Sequence, residues 1–132
     1  MQMNYRVGDR ASVRRTITEA DIVNFAGITG DYNPIHVDEE YAKTTIFGGR
    51  IAHGIFSAAL ISNVLGNKLP GPGCIYLEQT LRFLAPVRIG DTIEAEVEVI
   101  EIIEAKRRLR LSTTCKNQDG KIVLNGEALV KI

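Results

Sequence analysis

The chain has 132 residues, and its 16 basic and 16 acidic side chains leave no net charge at neutral pH. This length fits one domain with a single core. Balanced charge argues against a nucleic-acid partner, because polyanion-binding proteins usually carry an excess of basic residues. No segment approaches the roughly 20 apolar residues of a membrane span, and Met1–Arg10 has no apolar signal region. We expect a single cytoplasmic domain over residues 1–132 with no membrane partner.

The cysteines and histidines do not form a metal-binding pattern. Cys74 and Cys115 lack Cys-x-x-Cys spacing, and the chain has only two histidines. We therefore expect no metal site and two reduced cysteines in core or strand positions.

A strand and then a helix are predicted in the first 30 residues. Residues 11–17 alternate loosely between polar and apolar, which is typical of a short strand. Thr18 and Asp21 resemble a capping box with Asp in place of Glu, and the apolar residues that follow fit a helix to about Gly27. Gly30 then ends this region, so the helix leads directly into Asp31.

The segment 30–36, Gly-Asp-Tyr-Asn-Pro-Ile-His, places a carboxylate and an imidazole five residues apart. Pro34 fixes its own φ and pushes Asn33 into extended conformations, so the segment cannot be helical throughout. Such a bend can direct Asp31 and His36 to one point, where they would act as an acid–base pair on a water or a substrate proton. The same residues also fit a plain turn, in which Asp31 or Asn33 bonds the local backbone.

A second helix is predicted where the sequence becomes apolar. Asp38 can cap a short turn, and residues 44–50 look irregular. Residues 51–65 place apolar side chains on nearly every helical face, which is typical of a buried helix, and Gly66 is a plausible C-terminal residue.

The C-terminal half changes to a period of two, which predicts half-buried antiparallel strands. The alternating segments are residues 75–83, 93–100, 107–116 and 122–132, with a hairpin turn at 117–120. A helix too apolar for solvent, placed between one strand and such a run, is buried only if the sheet curls around it. We therefore predict an α+β fold.

Four segments carry a resemblance to the MaoC-like, (R)-specific enoyl-CoA hydratases of the hotdog fold. They are Asp-Tyr-Asn-Pro-Ile-His at 31–36, Ile-Ala-His-Gly at 51–54, Gly-Cys-Ile-Tyr-Leu at 73–77 and Val-Arg-Ile-Gly-Asp-Thr at 87–92. The resemblance covers essentially the whole chain. It implies a curved antiparallel sheet of about five strands wrapped around a long central helix, with residues 31–36 in an overhang beside an acyl tunnel.

This resemblance implies a lyase activity. Asp31 and His36 would activate a water and add it syn to a trans-2-enoyl-CoA, giving (3R)-hydroxyacyl-CoA, or would catalyse the reverse dehydration. The thioester carbonyl would lie near the start of the central helix, with the Gly54 N–H as an oxyanion donor. A helix N-terminus suits that role, because it offers unpaired N–H groups and partial positive charge. Coenzyme A enters as part of the substrate, and no separate cofactor is implied.

Ser62 and Asn33 complete the expected substrate-binding group with Gly54. Ser62 matches a family serine near the active site, although a helical serine can simply bond the carbonyl four residues back. Asn33 is expected to shape the bend. His53 is expected to be a structural hydrogen-bonding residue at the helix start.

The resemblance also implies an acyl-CoA partner and self-association. The family commonly forms dimers whose sheets join edge to edge with CoA across the interface, so we expect a homodimer or an assembly of dimers. Lys68, Arg82 and Arg88 are possible phosphate-binding residues only because they are basic and adjacent to loops.

Two other functions remain open at this point. An acyl-CoA thioesterase could use the same scaffold, because an activated water can attack the carbonyl carbon instead of Cβ. A non-catalytic acyl-CoA sensor is a third interpretation, although no DNA-binding segment accompanies the domain.

Overall fold

The computed structural model describes residues 3–132; Met1 and Gln2 of the predicted domain lie outside the described residues. The elements in chain order are β1 (Arg10–Thr16), α1 (Glu19–Thr29), α2 (Pro34–Val37), α3 (Glu39–Ala42), α4 (Gly54–Asn67), β2 (Ile75–Gln79), β3 (Arg82–Phe83), β4 (Thr92–Ile103), a 3-10 turn (Glu104–Lys106), β5 (Arg108–Lys116) and β6 (Ile122–Lys131). Within this range, every helix is too short or too polar to cross a membrane.

All strands join one antiparallel sheet that packs its concave face against α4. The strand order is β1-β4-β5-β6-β2, and β3 pairs with the free part of β6. Alternate side chains of β4 and β5 point toward the helix, and α4 contributes apolar side chains to the same core. The fully buried members include Ile93, Val97, Leu109, Leu111, Ile61 and Val64. This is the predicted α+β hotdog architecture, with six strands, one of which has only two residues.

α1 begins and ends at caps that the sequence shows. Thr18 and Asp21 form the capping box, since each side chain accepts a hydrogen bond from the other's backbone N–H. The Arg15 guanidinium donates to both carboxylate oxygens of Asp21, at 3.1 and 2.5 Å, and these bonds hold the pKa of that carboxyl below its ordinary value. The helix runs two residues past the predicted end at Gly27, to Thr29.

The predicted bounds and burial of the central helix are wrong in three respects. α4 begins at Gly54 instead of residue 51, and it continues through Gly66 to Asn67. It is also not buried on every face, because Ile55, Ala59 and Ser62 are exposed. The sheet covers only one side of α4. It ends at the exposed edge strand β2 and does not extend over the other side of the helix.

The predicted continuous strand over residues 75–83 is also wrong, since it breaks into β2 and β3. At the break, Thr80 N–H donates to Glu127 O, and Glu127 N–H donates to Thr80 Oγ1, both at 2.9 Å. A Cβ on Gly126 would lie 1.8 Å from Thr80 O, so only glycine permits this approach. The break gives β2 and β3 separate registers against β6.

Both cysteines are free thiols. Cys115 is fully buried on β5, and burial raises the pKa of its thiol to about 12. Cys74 lies half-buried just before β2. The expected core or strand positions are therefore confirmed for Cys115.

Candidate active site

Asp31 lies in the loop between α1 and α2. Gly30 closes α1 in the left-handed region with φ of 78°, and its N–H donates to Ala26 O at 2.8 Å. Asn33 N–H donates to Asp31 Oδ1 at 3.2 Å. The side chain is exposed, and a carboxylate has further acceptor capacity on its second oxygen. The turn therefore orients Asp31 and leaves it able to bind a ligand.

Asn33 and Pro34 start the short helix α2, which carries His36. The Asn33 side chain accepts from Ile35 N–H at 3.2 Å, and Pro34 occupies the first helical turn, where its missing N–H is not needed. Both interpretations of this segment are therefore compatible. Asp31 and Asn33 make the bonds of a turn, and the same bend brings His36 beside Asp31.

The tautomer of His36 follows from its partner. Its Nδ1 lies 2.8 Å from Ile51 O. A carbonyl oxygen only accepts, so Nδ1 carries the proton and the neutral ring has a free lone pair on Nε2. Only 8% of His36 is exposed, so bulk water has little access to this lone pair. A ligand in the cavity that His36 lines can reach the ring instead.

The residues just before α4 connect these two parts of the site. Ile51 N–H donates to Ile35 O at 3.2 Å, and the His53 Nε2–H donates to Asp31 O at 3.0 Å. The His53 ring also stacks on the His36 ring, with centroids 3.9 Å apart and planes 27° apart. The start of α4 thus contacts both the Asp31 loop and α2, and the structural role predicted for His53 is what the contacts show.

The separation of the polar groups suits one bridging water. Asp31, His36 and His53 each offer an atom within 4.8 Å of the others. Two hydrogen bonds of about 2.8 Å at a near-tetrahedral angle span about 4.6 Å. The 4.8 Å limit on the spacing of these atoms is therefore close to the reach of a single bridging water.

The same three side chains are poorly arranged for a cation. The lone pair of a ring nitrogen lies in the ring plane, and the His36 and His53 planes are stacked and only 27° apart. Lone pairs in stacked planes do not converge on one ion at the ~2.0–2.1 Å of a metal–imidazole bond. Each ring also has one nitrogen engaged by a backbone carbonyl. The absence of a metal site remains a prediction.

Several influences act on the pKa of His36. Burial lowers it most, and repulsion from His53 lowers it further, whereas the Ile51 hydrogen bond and the Asp31 carboxylate raise it. The net pKa lies below the ordinary value for histidine. His36 is consequently neutral at pH 7, and its Nε2 can accept a proton.

A cavity of about 560 Å³ opens beside these groups. Its walls are mostly apolar and include Phe47, Ile51, Phe83, Leu84, Val87 and Leu124. Gly54, the first residue of α4, also lines it. The first N–H groups of a helix have no intrahelical partner and carry its partial positive charge, and α4 has no acidic residue in its first turn. A carbonyl oxygen in the cavity could therefore accept from Gly54 N–H.

Phe83 explains why residue 54 is glycine. A Cβ built on Gly54 would lie 2.7 Å from Phe83 Cδ1 and 2.9 Å from Cε1. The missing side chain lets the aromatic ring lie directly against the start of α4 and form one wall of the cavity.

Other predicted residues lie elsewhere. Ser62 is exposed on α4 and lines a second pocket with Tyr76 and Leu77, so the structure does not bring it to Asp31 and His36. Eight residues of helix separate it from Gly54, which is about 12 Å along the axis. The substrate-binding role of Ser62 remains a prediction.

The basic residues proposed for phosphate binding are also separated. Lys68 Nζ donates to Ser12 O at 2.7 Å, at the C-terminal end of α4 and far from Gly54. Arg88 is closer to the cavity, because its guanidinium donates to Phe47 O at 2.6 Å.

Sequence reasoning missed some cavity residues. Phe83 and Ser57 line the cavity beside Gly54, and Ser57 is only 2% exposed. The small residue at position 54 was the one available signal for Phe83, since a required glycine indicates close approach of another group. The sequence does not show which group that is.

The fold and the site together define a hotdog protein with an Asp/His pair beside an apolar cavity. Residues 7–121 match the family described as MaoC like domain, so the chain belongs to the MaoC-like family.

Named relatives match this chain over most of their own length. The chain is 56% identical to a 3-hydroxybutyryl-CoA dehydratase of Methylorubrum extorquens over 96% of this chain and 80% of that protein. It is 53% identical to an (R)-specific enoyl-CoA hydratase of Rhodospirillum rubrum over 95% of this chain and 86% of that protein. A solved structure of an (R)-hydratase from A. caviae involved in PHA biosynthesis superposes with a TM-score of 0.96 at 40% identity, covering 99% of each chain.

Proposed function

We propose that this protein is an (R)-specific enoyl-CoA hydratase, a hydro-lyase that adds water to trans-2-enoyl-CoA and also catalyses the reverse dehydration. The observation that carries the proposal is that Asp31 and His36 offer polar atoms within 4.8 Å of each other, with His36 Nε2 free, beside an apolar cavity that reaches Gly54. Two relatives support it, a 3-hydroxybutyryl-CoA dehydratase and an (R)-specific enoyl-CoA hydratase, which this chain matches over 80% and 86% of their lengths.

The pair can activate the water because both groups are hydrogen-bond acceptors. A water that donates one hydrogen bond to Asp31 and one to His36 Nε2 directs a lone pair away from both, toward Cβ of the enoyl group. As the water oxygen bonds to Cβ, one member of the pair takes a proton from it. A proton is then delivered to Cα on the same side, so the pair returns to its starting state.

The thioester oxygen gains negative charge while the Cβ–O bond forms. The Gly54 N–H, at the start of α4 and in the lining of the cavity, would donate to that oxygen. Donors fixed by the helix cost no reorganisation during the reaction, which makes such groups strongly stabilising for the transition state. The pair and the helix terminus together supply the acid–base chemistry, so the proposal needs no cofactor beyond the CoA of the substrate.

The apolar cavity is suited to the acyl chain, and its volume lies within the usual range for small-molecule sites. Arg88, whose guanidinium donates to Phe47 O at the cavity, would be better suited than Lys68 to bind a CoA phosphate. A cytoplasmic location, where acyl-CoA is available, is part of the proposal.

Self-association is the second part of the proposal. Ile75, Tyr76 and Leu77 of edge strand β2 are exposed, and so is Ile55 on the uncovered face of α4. The outer edge of β2 has unpaired backbone N–H and C=O groups, and such an edge favours pairing with a second copy of the chain. A homodimer joined at β2 would cover these apolar side chains.

The hydratase activity is tested with crotonyl-CoA, whose conjugated thioester absorbs in the ultraviolet. We expect the wild type to consume it and yield (3R)-hydroxybutyryl-CoA. Asp31→Asn should lower kcat by about 10²–10⁴-fold, the usual contribution of acid–base catalysis. Asp38→Asn is the matched control, because this exposed aspartate caps α3 through Tyr41 N–H and lies outside the cavity.

Each outcome decides one point. Near-normal turnover by Asp31→Asn would exclude Asp31 as a catalytic residue. Release of free CoA thiol without hydration would identify the chain as a thioesterase instead. Absence of both reactions with short and long enoyl chains would refute the hydratase proposal.

A further inference from the structure

His53 contacts both members of the proposed catalytic pair, although it is not one of them. Its Nε2–H donates to Asp31 O at 3.0 Å, and its ring stacks on His36 with centroids 3.9 Å apart. On another side the ring contacts Phe25 at a centroid distance of 4.9 Å. The side chain is 2% exposed, so these contacts hold it in one orientation.

The position of His53 in the chain makes these contacts consequential. It is the N-cap residue of α4 and directly precedes Gly54, yet its side chain makes no capping hydrogen bond. Its hydrogen-bonding capacity is used on the Asp31 backbone instead. One side chain therefore links the Asp31 loop, the His36 ring and the helix start that offers the Gly54 N–H.

The charge state of His53 matters because few other charges are near. Among the residues that line the cavity, the titratable ones are Asp31, His36 and His53, and the contact from α1 is the neutral Phe25. A proton on His53 opposes a proton on His36, and this repulsion contributes to the lowered pKa of His36. Asp31 acts in the opposite direction.

We propose that His53 is a positioning residue, which tethers the Asp31 backbone and supports the face of the His36 ring so that both groups address the same water. The inference rests on the proposed hydratase function. A displacement of about 1 Å in a catalytic group can cost about 10²-fold in rate. Loss of His53 should therefore lower kcat much more than it changes KM.

Two variants separate the two contacts. His53→Gln keeps an N–H donor that reaches toward Asp31 O but removes the ring. His53→Phe keeps a ring that can stack on His36 but removes the donor. With crotonyl-CoA we expect kcat to fall about 10-fold for His53→Gln and about 100-fold for His53→Phe, with KM within about threefold of wild type.

A second readout does not depend on turnover. The chain has two histidines, so each His53 variant leaves His36 as its only imidazole. The NMR titration of that imidazole should move to higher pH than in the wild type, because repulsion from His53 is removed. The shift should appear in His53→Phe, in which the replacement ring keeps His36 covered.

The results distinguish this inference from the function on which it rests. If the wild type does not hydrate crotonyl-CoA or longer enoyl chains, the proposed function fails. If the wild type is active while His53→Gln and His53→Phe keep kcat within twofold, the positioning role is refuted. If His53→Phe does not fold, His53→Gln decides: a loss in kcat with unchanged KM and a shifted His36 titration supports the role, and a change in KM alone overturns it.

Discussion

The Gly54 N–H can be removed without altering the helix that presents it. Gly54 is the first helical residue of α4, and proline is favoured at this position because its fixed φ suits the helix and its N–H is not needed there. Proline requires the preceding residue to be extended, and His53 already is, with φ −61° and ψ 127°. Gly54→Pro should therefore fold and lack one proposed oxyanion donor.

The matched control is Gly54→Ala, which keeps the N–H. Both substitutions add a Cβ that would lie 2.7 Å from Phe83 Cδ1, whereas ordinary contacts are 3.4–4 Å, so the ring must move by at least about 0.7 Å. Phe83 is 55% exposed and can move, so we expect this crowding to cost about 1 kcal/mol. That cost is common to both variants and cancels when they are compared.

The remaining difference measures the hydrogen bond to the developing oxyanion. Loss of one such donor typically lowers kcat by about 10²–10³-fold, or about 2.7–4 kcal/mol. We expect Gly54→Pro to be slower than Gly54→Ala by that factor in crotonyl-CoA hydration, with similar melting temperatures. Equal kcat values, within about threefold, would show that Gly54 N–H is not an oxyanion donor. If both variants are inactive, the same pair in a Phe83→Leu background removes the crowding and decides the question.

Two further predictions concern pH and assembly. Because burial holds the pKa of folded His36 below its unfolded value of about 6.5, the stability due to neutral His36 is complete above that pH and is lost as the pH falls toward the folded pKa. Denaturant unfolding at pH 7.5 and 5.5 should therefore show a larger loss for wild type than for His36→Gln, and an equal loss would contradict the buried neutral ring. Light scattering should give twice the mass of one chain, and Leu77→Asp on edge strand β2 should shift the protein toward monomer; a wild-type monomer at micromolar concentration would rule out the proposed dimer.

The parts of the fold that the sequence predicts are those with local causes. The α1 cap needs only Thr18 and Asp21, and the bend at Asn33-Pro34 needs only the geometry of proline and the residue before it. The alternation of buried and partly exposed side chains along β4 and β5 likewise follows from the sequence of each strand. These elements have nearly the bounds that the patterns indicate.

The errors arise where distant residues decide the structure. Alternation across residues 75–83 predicts one strand, but Gly126 on β6 approaches Thr80 so closely that the strand breaks there. The composition of α4 predicts burial on all faces, but burial depends on how far the sheet extends around it. No local pattern contains either fact.

The candidate site combines both kinds of information. Asp31 and His36 are predictable as a pair because a single bend with a local cause brings them together. The tautomer of His36 is not predictable, because Ile51 O lies 15 residues further along the chain. His53 illustrates the same limit: its sequence position indicates a helix start, and only the folded chain places its ring against His36 and the backbone of Asp31. The residues expected to perform the chemistry are thus found from the sequence, whereas the residues that position them are found from the structure.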